Sequence, residues 1–350
     1  MKRYGTAALV LAGALAWPAA AAGASTLASV GRATGVVAYG GWAAWSSYDA
    51  ASHGYALMLR SPSGSVAPAG VAERPAPFDV SLGPDAHGAT VAVYSRCRQT
   101  ACRLVELALG APAYERRLAP PGGGSDYDPA IWGGRIAFMR AHRGGGQRRP
   151  QDIFEWVIGA RHLLSFPLPR NEYSAADLHA FPQLRQTEGV TGTIGFLALH
   201  GSEIAYTRVA PVSSPVTVSD LWTQRPGAAP RLIARITTGG AATAQRSFLS
   251  PTFAGGWLYA YREGGDQGSV WQRYRLAGPG LQQASGIAFG DSAFGLVEAV
   301  VPDAAGVDWT VDQAQNGLPA QPTDTTLVQA QPSGIAWKSV KRPRPVAIGL

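Results

Sequence analysis

Gly88-Ala-Thr-Val-Ala92-Val opens on a glycine and sets an alanine four residues later inside a short apolar run. The same arrangement returns as Gly41-Trp-Ala-Ala44-Trp, Gly134-Arg-Ile-Ala137-Phe, Gly201-Ser-Glu-Ile-Ala205-Tyr, Gly256-Trp-Leu-Tyr-Ala260-Tyr and Gly295-Leu-Val-Glu-Ala299-Val. Successive alanines lie 48, 45, 68, 55 and 39 residues apart. Glycine takes positive φ without a Cβ clash and so suits the tight turn into a strand. The small alanine lets neighbouring sheets approach closely.

A second apolar segment follows each run: Tyr55-Ala-Leu-Met-Leu59, Cys102-Arg-Leu-Val-Glu-Leu107, Asp152-Ile-Phe-Glu-Trp156, Asp220-Leu-Trp-Thr-Gln224, Val270-Trp-Gln-Arg-Tyr274 and Val307-Asp-Trp-Thr-Val311. Several of these alternate with period two, as strands with one buried face do, and no stretch sustains the 3.6 period of a long helix. A repeat of this length holding about four strands is the signature of a propeller. The expected fold is all-β, a six-bladed β-propeller with four-stranded antiparallel blades. Blades one to five are expected near 34–71, 78–119, 127–168, 191–238 and 247–284, with blade six from Ile287 onward. The long interval marks an insertion at 170–189, whose Ser174–Ala180 core suits a short helix. The outer strand of blade six is expected from 326–330 or from 334–340, and closure of the ring from the segment after Ser25. A pair of β-sandwich domains is the alternative architecture.

Before the repeats, Met1-Lys2-Arg3, the apolar stretch Thr6–Trp17 and the small residues of Pro18–Ala24 read as a cleavable signal peptide. The expected organisation is therefore residues 1–24 as signal, 25–33 as an N-terminal segment able to close the ring, 34–316 as propeller and 317–350 as a C-terminal segment with a basic tail. No second span follows, so the chain is expected to be secreted or extracytoplasmic, a monomer with no transmembrane segment after signal removal. Without Lys2 and Arg3 the formal charge falls from +7 to +5. The bases are scattered arginines rather than a continuous stripe, which argues against nucleic acid. Cys97 and Cys102 are expected to form a structural disulfide at a hairpin tip, which an exported protein permits.

Val80-Ser81-Leu82-Gly83-Pro84-Asp85, followed by Gly88-Ala89-Thr90-Val91-Ala92-Val93-Tyr94, resembles the TolB-like propeller family, whose repeats carry a Ser-x-Ser-Pro-Asp-Gly turn between an inner strand and an alanine-aromatic strand. Here Gly83 stands for the second serine, and the Asp-Gly step is stretched to Asp85-Ala-His-Gly88. Asp128-Pro-Ala-Ile-Trp132-Gly133-Gly134 and Ser250-Pro-Thr-Phe253-Ala-Gly255-Gly256 resemble the same repeat with its turn eroded. The likeness spans blades two to five. It implies a fold; family members include periplasmic scaffolds and propeller domains fused to peptidases, so function does not transfer.

Asp79, Asp128, Ser250 and Asp291 begin the proposed inner strands, and equivalent positions in a ring face one another. They are candidates for a channel collar that holds a cation or an amine, against the plainer role of accepting backbone N–H groups in the turns. No cofactor is implied beyond that cation, and no metal set is defined. Ser292 lacks the Gly-x-Ser-x-Gly elbow, and the six histidines form no ligand pair. Glu106, Glu155, Glu203 and Glu298 lie on or beside strands, where a catalytic pair would be a spatial matter. Arg140, Arg143, Arg148 and Arg149 in a glycine-rich loop, and Lys338, Lys341, Arg342 and Arg344 near the C-terminus, are candidates for contact with anionic polymer. Trp132, Trp156, Trp222, Trp257, Trp271 and Trp309 are expected mostly between blades. The function expected is a non-catalytic binding or scaffold propeller engaging an envelope or extracellular protein, a peptide or an anionic envelope polymer. The alternative is an extracellular propeller hydrolase or lyase acting on saccharide or ester substrates at the acidic collar.

Overall fold

The computed structural model describes residues 25–30, 34–99, 101–110, 114–141, 151–189, 191–213, 216–238, 248–262, 270–278, 280–285, 296–302, 308–315, 326–332, 336–340 and 347–348. Apart from one short helix and a 3-10 turn, these residues form strands and their connections. Blade I is Val36–Tyr39, Trp42–Asp49, Gly54–Arg60 and Val66–Pro68, and blade II is Ser81–Pro84, Thr90–Arg98, Ala101–Ala108 and Glu115–Arg117. Blade III is Ser125–Trp132, Arg135–Ala141, Gln151–Val157 and Leu164–Phe166. Thr193–His200, Glu203–Ser213, Val216–Gln224 and Arg231–Thr238 make blade IV, and Phe248–Ala254, Trp257–Arg262, Val270–Arg275 and Leu281–Ser285 make blade V. Each is an antiparallel meander. The first strands pack side by side in blade order, which makes them the inner strands of a propeller.

The expectation of a six-bladed propeller is corrected: five blades are formed as consecutive meanders, and the remaining four-stranded sheet is not such a meander but is assembled from both ends of the described chain. Its order is Leu296–Pro302, Asp308–Gln315, Thr326–Pro332 and then Ser25–Val30. Neither segment expected at its outer edge stands there. Thr326–Pro332 is the third strand, whereas Ala336–Ser339 adds antiparallel to the edge of blade V. Ala347–Ile348 then pairs in parallel with the edge of blade IV. These additions cover backbone edges that would otherwise be open to pairing with another chain.

The second strand of each blade shows why the units stack. In blade II, Ala92 and Tyr94 join the apolar layer shared with blade I, while Val91 and Val93 join the layer shared with blade III. In blade III, Ile136 and Phe138 face blade II, and Ala137 and Met139 face blade IV. Period-two alternation thus feeds two cores from one strand. Ala44, Ala92, Ala137, Ala205 and Ala260, the alanines of the repeat, are all fully buried.

The close approach of blade III requires a glycine at position 83. A Cβ there would overlap the Ile131 carbonyl oxygen of the neighbouring inner strand. At the same approach Gly133 N donates to Pro84 O at 2.8 Å.

The insertion holds the helix Ala175–Ala180 and the 3-10 turn Pro182–Thr187. Ser174 Oγ accepts from Asp177 N at 3.1 Å, and the Asp177 carboxylate accepts from Ser174 N at 3.2 Å, a reciprocal cap. Phe181 and Leu184 pack on Ala210 and Val218 of blade IV. Beneath them Asp220, about 1% exposed, accepts from Arg235 Nε at 2.7 Å and pairs with Arg208. The two arginines also donate to the carbonyls of Glu172 and Pro169, which ties the insertion to the blade. Asp220→Ala would leave both guanidinium groups uncompensated in the interior. We expect it to cost about 3–5 kcal/mol, read as a lower melting temperature, with Arg185→Ala on the exposed turn near neutral.

Candidate functional site

The inner strands begin on one face of the propeller and end on the other, so each face collects residues from every blade. On the starting face Asp79 is fully engaged. Its carboxylate accepts from Ser95 N at 3.0 Å, Ser95 Oγ at 2.6 Å, Asp128 N at 2.9 Å and Arg74 Nη1 at 3.1 Å. Asp79 therefore serves as a clasp between the start of blade II, its second strand and blade III, the turn-accepting role weighed from the sequence.

Register separates Asp79 from Asp128. Asp126 lies opposite Arg140, three residues past Ala137, just as Asp79 is bonded to Ser95, three residues past Ala92. Asp79 thus takes the place of Asp126, and Asp128 sits two residues farther on, in a β-bulge between Tyr127 and Ala130. Blade V has the same bulge at Ser250 and blade IV has one between Ile194 and Leu197. Asp128 and Ser250 both adopt left-handed backbone, φ 46° and 47°, a conformation uncommon outside glycine. Such bulges re-aim side chains at the rims of barrels and beside active sites. In blade IV the bulge exposes Phe196 on the inner strand. Asp291 lies outside the described residues, as does Ser292.

Burial pushes the Asp128 carboxyl up to about 7, with the Asp79 charge adding to the effect and Arg74 opposing it.

At the far ends of the inner strands, four blades contribute rings to one cluster that the sequence did not disclose. Tyr39 of blade I meets Trp132 of blade III edge-on at 5.5 Å, Trp132 lies 4.1 Å from the His200 ring of blade IV, and His200 lies 6.0 Å from Phe253 of blade V. Blade II intervenes with only Gly83 and Pro84 at that level, so Tyr39 and Trp132 can meet across it. Tyr39 and Trp132 are half-buried, His200 is exposed and Phe253 is buried. Desolvation lowers the His200 pKa, partly offset by Glu203, so the imidazole is neutral at pH 7 and able to donate and accept hydrogen bonds. The signal was present, since Tyr39, Trp132 and His200 each directly precede a glycine turn of the repeat, but only the side-by-side packing of the first strands brings them together.

Other candidates resolve into structural roles. Arg140, expected in a basic loop, is instead buried, with Nε and Nη2 on the Asp126 carboxylate at 2.6 and 2.8 Å. A desolvated cation needs such a fork of paired oxygens, so Arg140 is withdrawn from the loop. Arg143, Arg148 and Arg149 lie outside the described residues, as do Lys341, Arg342 and Arg344, while Lys338 is exposed. Glu106, Glu155 and Glu203 are held by Arg116, Arg135 and Arg225 respectively, and nothing is described of the Glu298 side chain. Trp156 and Trp222 are core. Trp257 lies under Arg273 at 4.6 Å, and the side chains of Trp271 and Trp309 are outside the described set. Cys97 and Cys102 form the expected disulfide, directly opposite each other on the paired strands of blade II. Among the described residues no helix is long and apolar enough to cross a membrane.

The raised pKa of Asp128 has a measurable consequence. A carboxyl that holds its proton more tightly folded than unfolded favours folding at low pH and loses that contribution as pH rises from about 4 to about 7. Asp128→Asn should therefore melt close to wild type near pH 4, then gain on it steadily up to about pH 7 and hold a constant lead above. Melting curves across that range check it; a lead that is largest at low pH would contradict the burial of this group.

No protein-family model matches the chain, and no curated protein matches it. Among solved structures it is similar to a puromycin hydrolase S511A mutant complexed with PGG at 14% identity and TM-score 0.49, covering 90% of this chain and 48% of that one. An acylaminoacyl peptidase from Pyrococcus horikoshii matches at 7% identity and TM-score 0.46, with 91% and 53% covered. The β-propeller domain of the Trilobed protease from Pyrococcus furiosus matches at 11% identity and TM-score 0.36, with 69% and 79% covered. The chain spans about half the length of the first two of these proteins.

Proposed function

We propose that this chain is an exported, non-catalytic binding propeller of the TolB-like kind, in which the sheet built from both chain ends completes the ring as a sixth blade. In favour of closure, Leu296–Pro302 packs against the inner strands of both blade V and blade I. The disulfide fits an oxidising compartment outside the cytoplasmic membrane.

The observation that carries the binding reading is the ring cluster Tyr39, Trp132, His200 and Phe253. Four blades deliver it to one mouth, it stays partly open to solvent, and it combines flat apolar faces with one neutral imidazole. Aromatic anchors of this kind dominate the energetics of recognition. The partner class is an envelope or extracellular protein, a peptide or an envelope polymer.

A second reading, an extracellular hydrolase or lyase, rests on Asp128 alone. A half-buried carboxyl that titrates near neutrality has the property of a general acid.

The test pairs two variants. Immobilised mature chain is exposed to envelope protein and polymer fractions, and the same preparations are assayed on nitrophenyl esters and glycosides. Trp132→Ala should reduce specific retention roughly tenfold while the chain stays folded, with a lower melting temperature because Trp132 packs on the core between blades III and IV. His200→Ala, at an exposed ring, should reduce retention with little change in melting temperature, and no preparation should turn over substrate. Retention indifferent to Trp132→Ala and His200→Ala would remove the mouth as the site. Turnover lost in Asp128→Asn would establish the second reading.

A further inference from the structure

The arginines at the tip of blade II are placed on one face by strand alternation. Ala92 and Tyr94 face blade I, so Arg96 and Arg98, two and four residues beyond Tyr94 on the same unbroken strand, lie on that side as well. Val105 and Leu107 face blade I on the third strand, which puts Arg103 there, and Arg117 of the fourth strand pairs with Val105. Arg96 and Arg103 are direct cross-strand partners. Like charges directly opposite each other destabilise a sheet.

Among the described residues, one carboxylate of this blade lies on that face, and it is taken. Glu115 accepts from Arg96 Nε at 2.7 Å and from Tyr94 Oη at 2.5 Å. Arg96 also donates to Ala72 O at 2.6 Å. Arg98, Arg103 and Arg117 are exposed, and none of them reaches a carboxylate among the described residues. The reverse face of the same tip is fixed. There the Cys97–Cys102 disulfide staples the two strands, and Cys102 N donates to Ser125 Oγ of blade III at 2.9 Å. The cost of opposed charges is thus built into a pinned hairpin rather than a free loop.

We propose that Arg98, Arg103 and Arg117, grouped around Arg96, form a docking surface for an anionic envelope polymer bearing repeated carboxylate or phosphate groups. Guanidinium forks match both oxyanions in bidentate fashion. Neighbouring strands about 4.8 Å apart and residues about 6.7 Å apart along a strand spread the charges over a length that suits successive groups of one polymer rather than a single ion. The surface lies on the starting face, away from the aromatic mouth, so it stands or falls independently of that site.

The experiment measures binding of labelled polygalacturonate, polyphosphate and neutral dextran to the mature chain by anisotropy across a salt series. Wild type should bind the two polyanions and not dextran, and the stronger of the two tells carboxylate from phosphate. The triple variant Arg98→Gln, Arg103→Gln, Arg117→Gln should weaken polyanion binding at least about tenfold and lower the slope against log salt by roughly 2. Arg103→Gln alone should weaken binding while leaving the melting temperature equal or higher, because it removes a repulsion; a merely structural arginine would lower both. Arg185→Gln, which removes an exposed arginine on the 3-10 turn of the insertion, should leave polyanion binding unchanged. Binding by the folded triple variant equal to wild type, equal binding of dextran, or the same loss in an Arg148→Gln, Arg149→Gln variant would overturn the proposal.

Discussion

A four-stranded sheet that is apolar on both faces has no stable existence alone, and this constraint governs the molecule. The second strands, such as Thr90–Arg98 and Arg135–Ala141, send alternate residues into two different cores, so every blade depends on both neighbours for burial. The fully buried alanines mark where spacing is tightest. Apolar area removed from water is the main favourable contribution, and here it is divided into layers between blades rather than gathered in one centre. A layered core of this kind leaves the first strands side by side at the axis, and the aromatic mouth at their far ends follows from it.

Three carboxylates between the layers are each held by more than one donor. Asp79 gathers four donors where blades I, II and III converge, Asp126 takes the buried fork of Arg140, and Asp220 holds two arginines under the insertion. Such groups are costly to desolvate unless paired, which accounts for the number of donors each one collects. Asp128 escapes this pattern. A bulge turns it from the ladder, and its backbone amide rather than its carboxyl supplies the link to Asp79.

The two faces therefore differ in character. The far mouth carries clustered, edge-on and tilted rings that include a histidine, while the starting face carries carboxylate, disulfide and exposed arginine. An up-and-down meander produces this separation automatically, because the turns between first and second strands all fall on one side and the hairpins between second and third strands on the other.

Much of the architecture was legible in the chain before any fold was known. The glycine-then-alanine repeat located the second strands, the composition of 170–189 marked the insertion and its short helix, and Cys97 and Cys102 declared their hairpin, because each of these is a local matter of turn conformation, alternation or spacing. The sequence by itself determined that the protein is a succession of small antiparallel sheets. Only the tertiary structure decided the rest. It set Thr326–Pro332 inside its sheet rather than at the edge and sent Ala336–Ser339 to blade V, shifted Asp128 out of register with Asp79 through a bulge, drew Arg140 into the interior, and brought Tyr39, Trp132, His200 and Phe253 from four blades to one mouth. The reason is physical: period and turn chemistry act between near neighbours in the chain, whereas edge pairing, bulges and ring convergence are settled by which sheets lean on which, and no spacing along the chain records that.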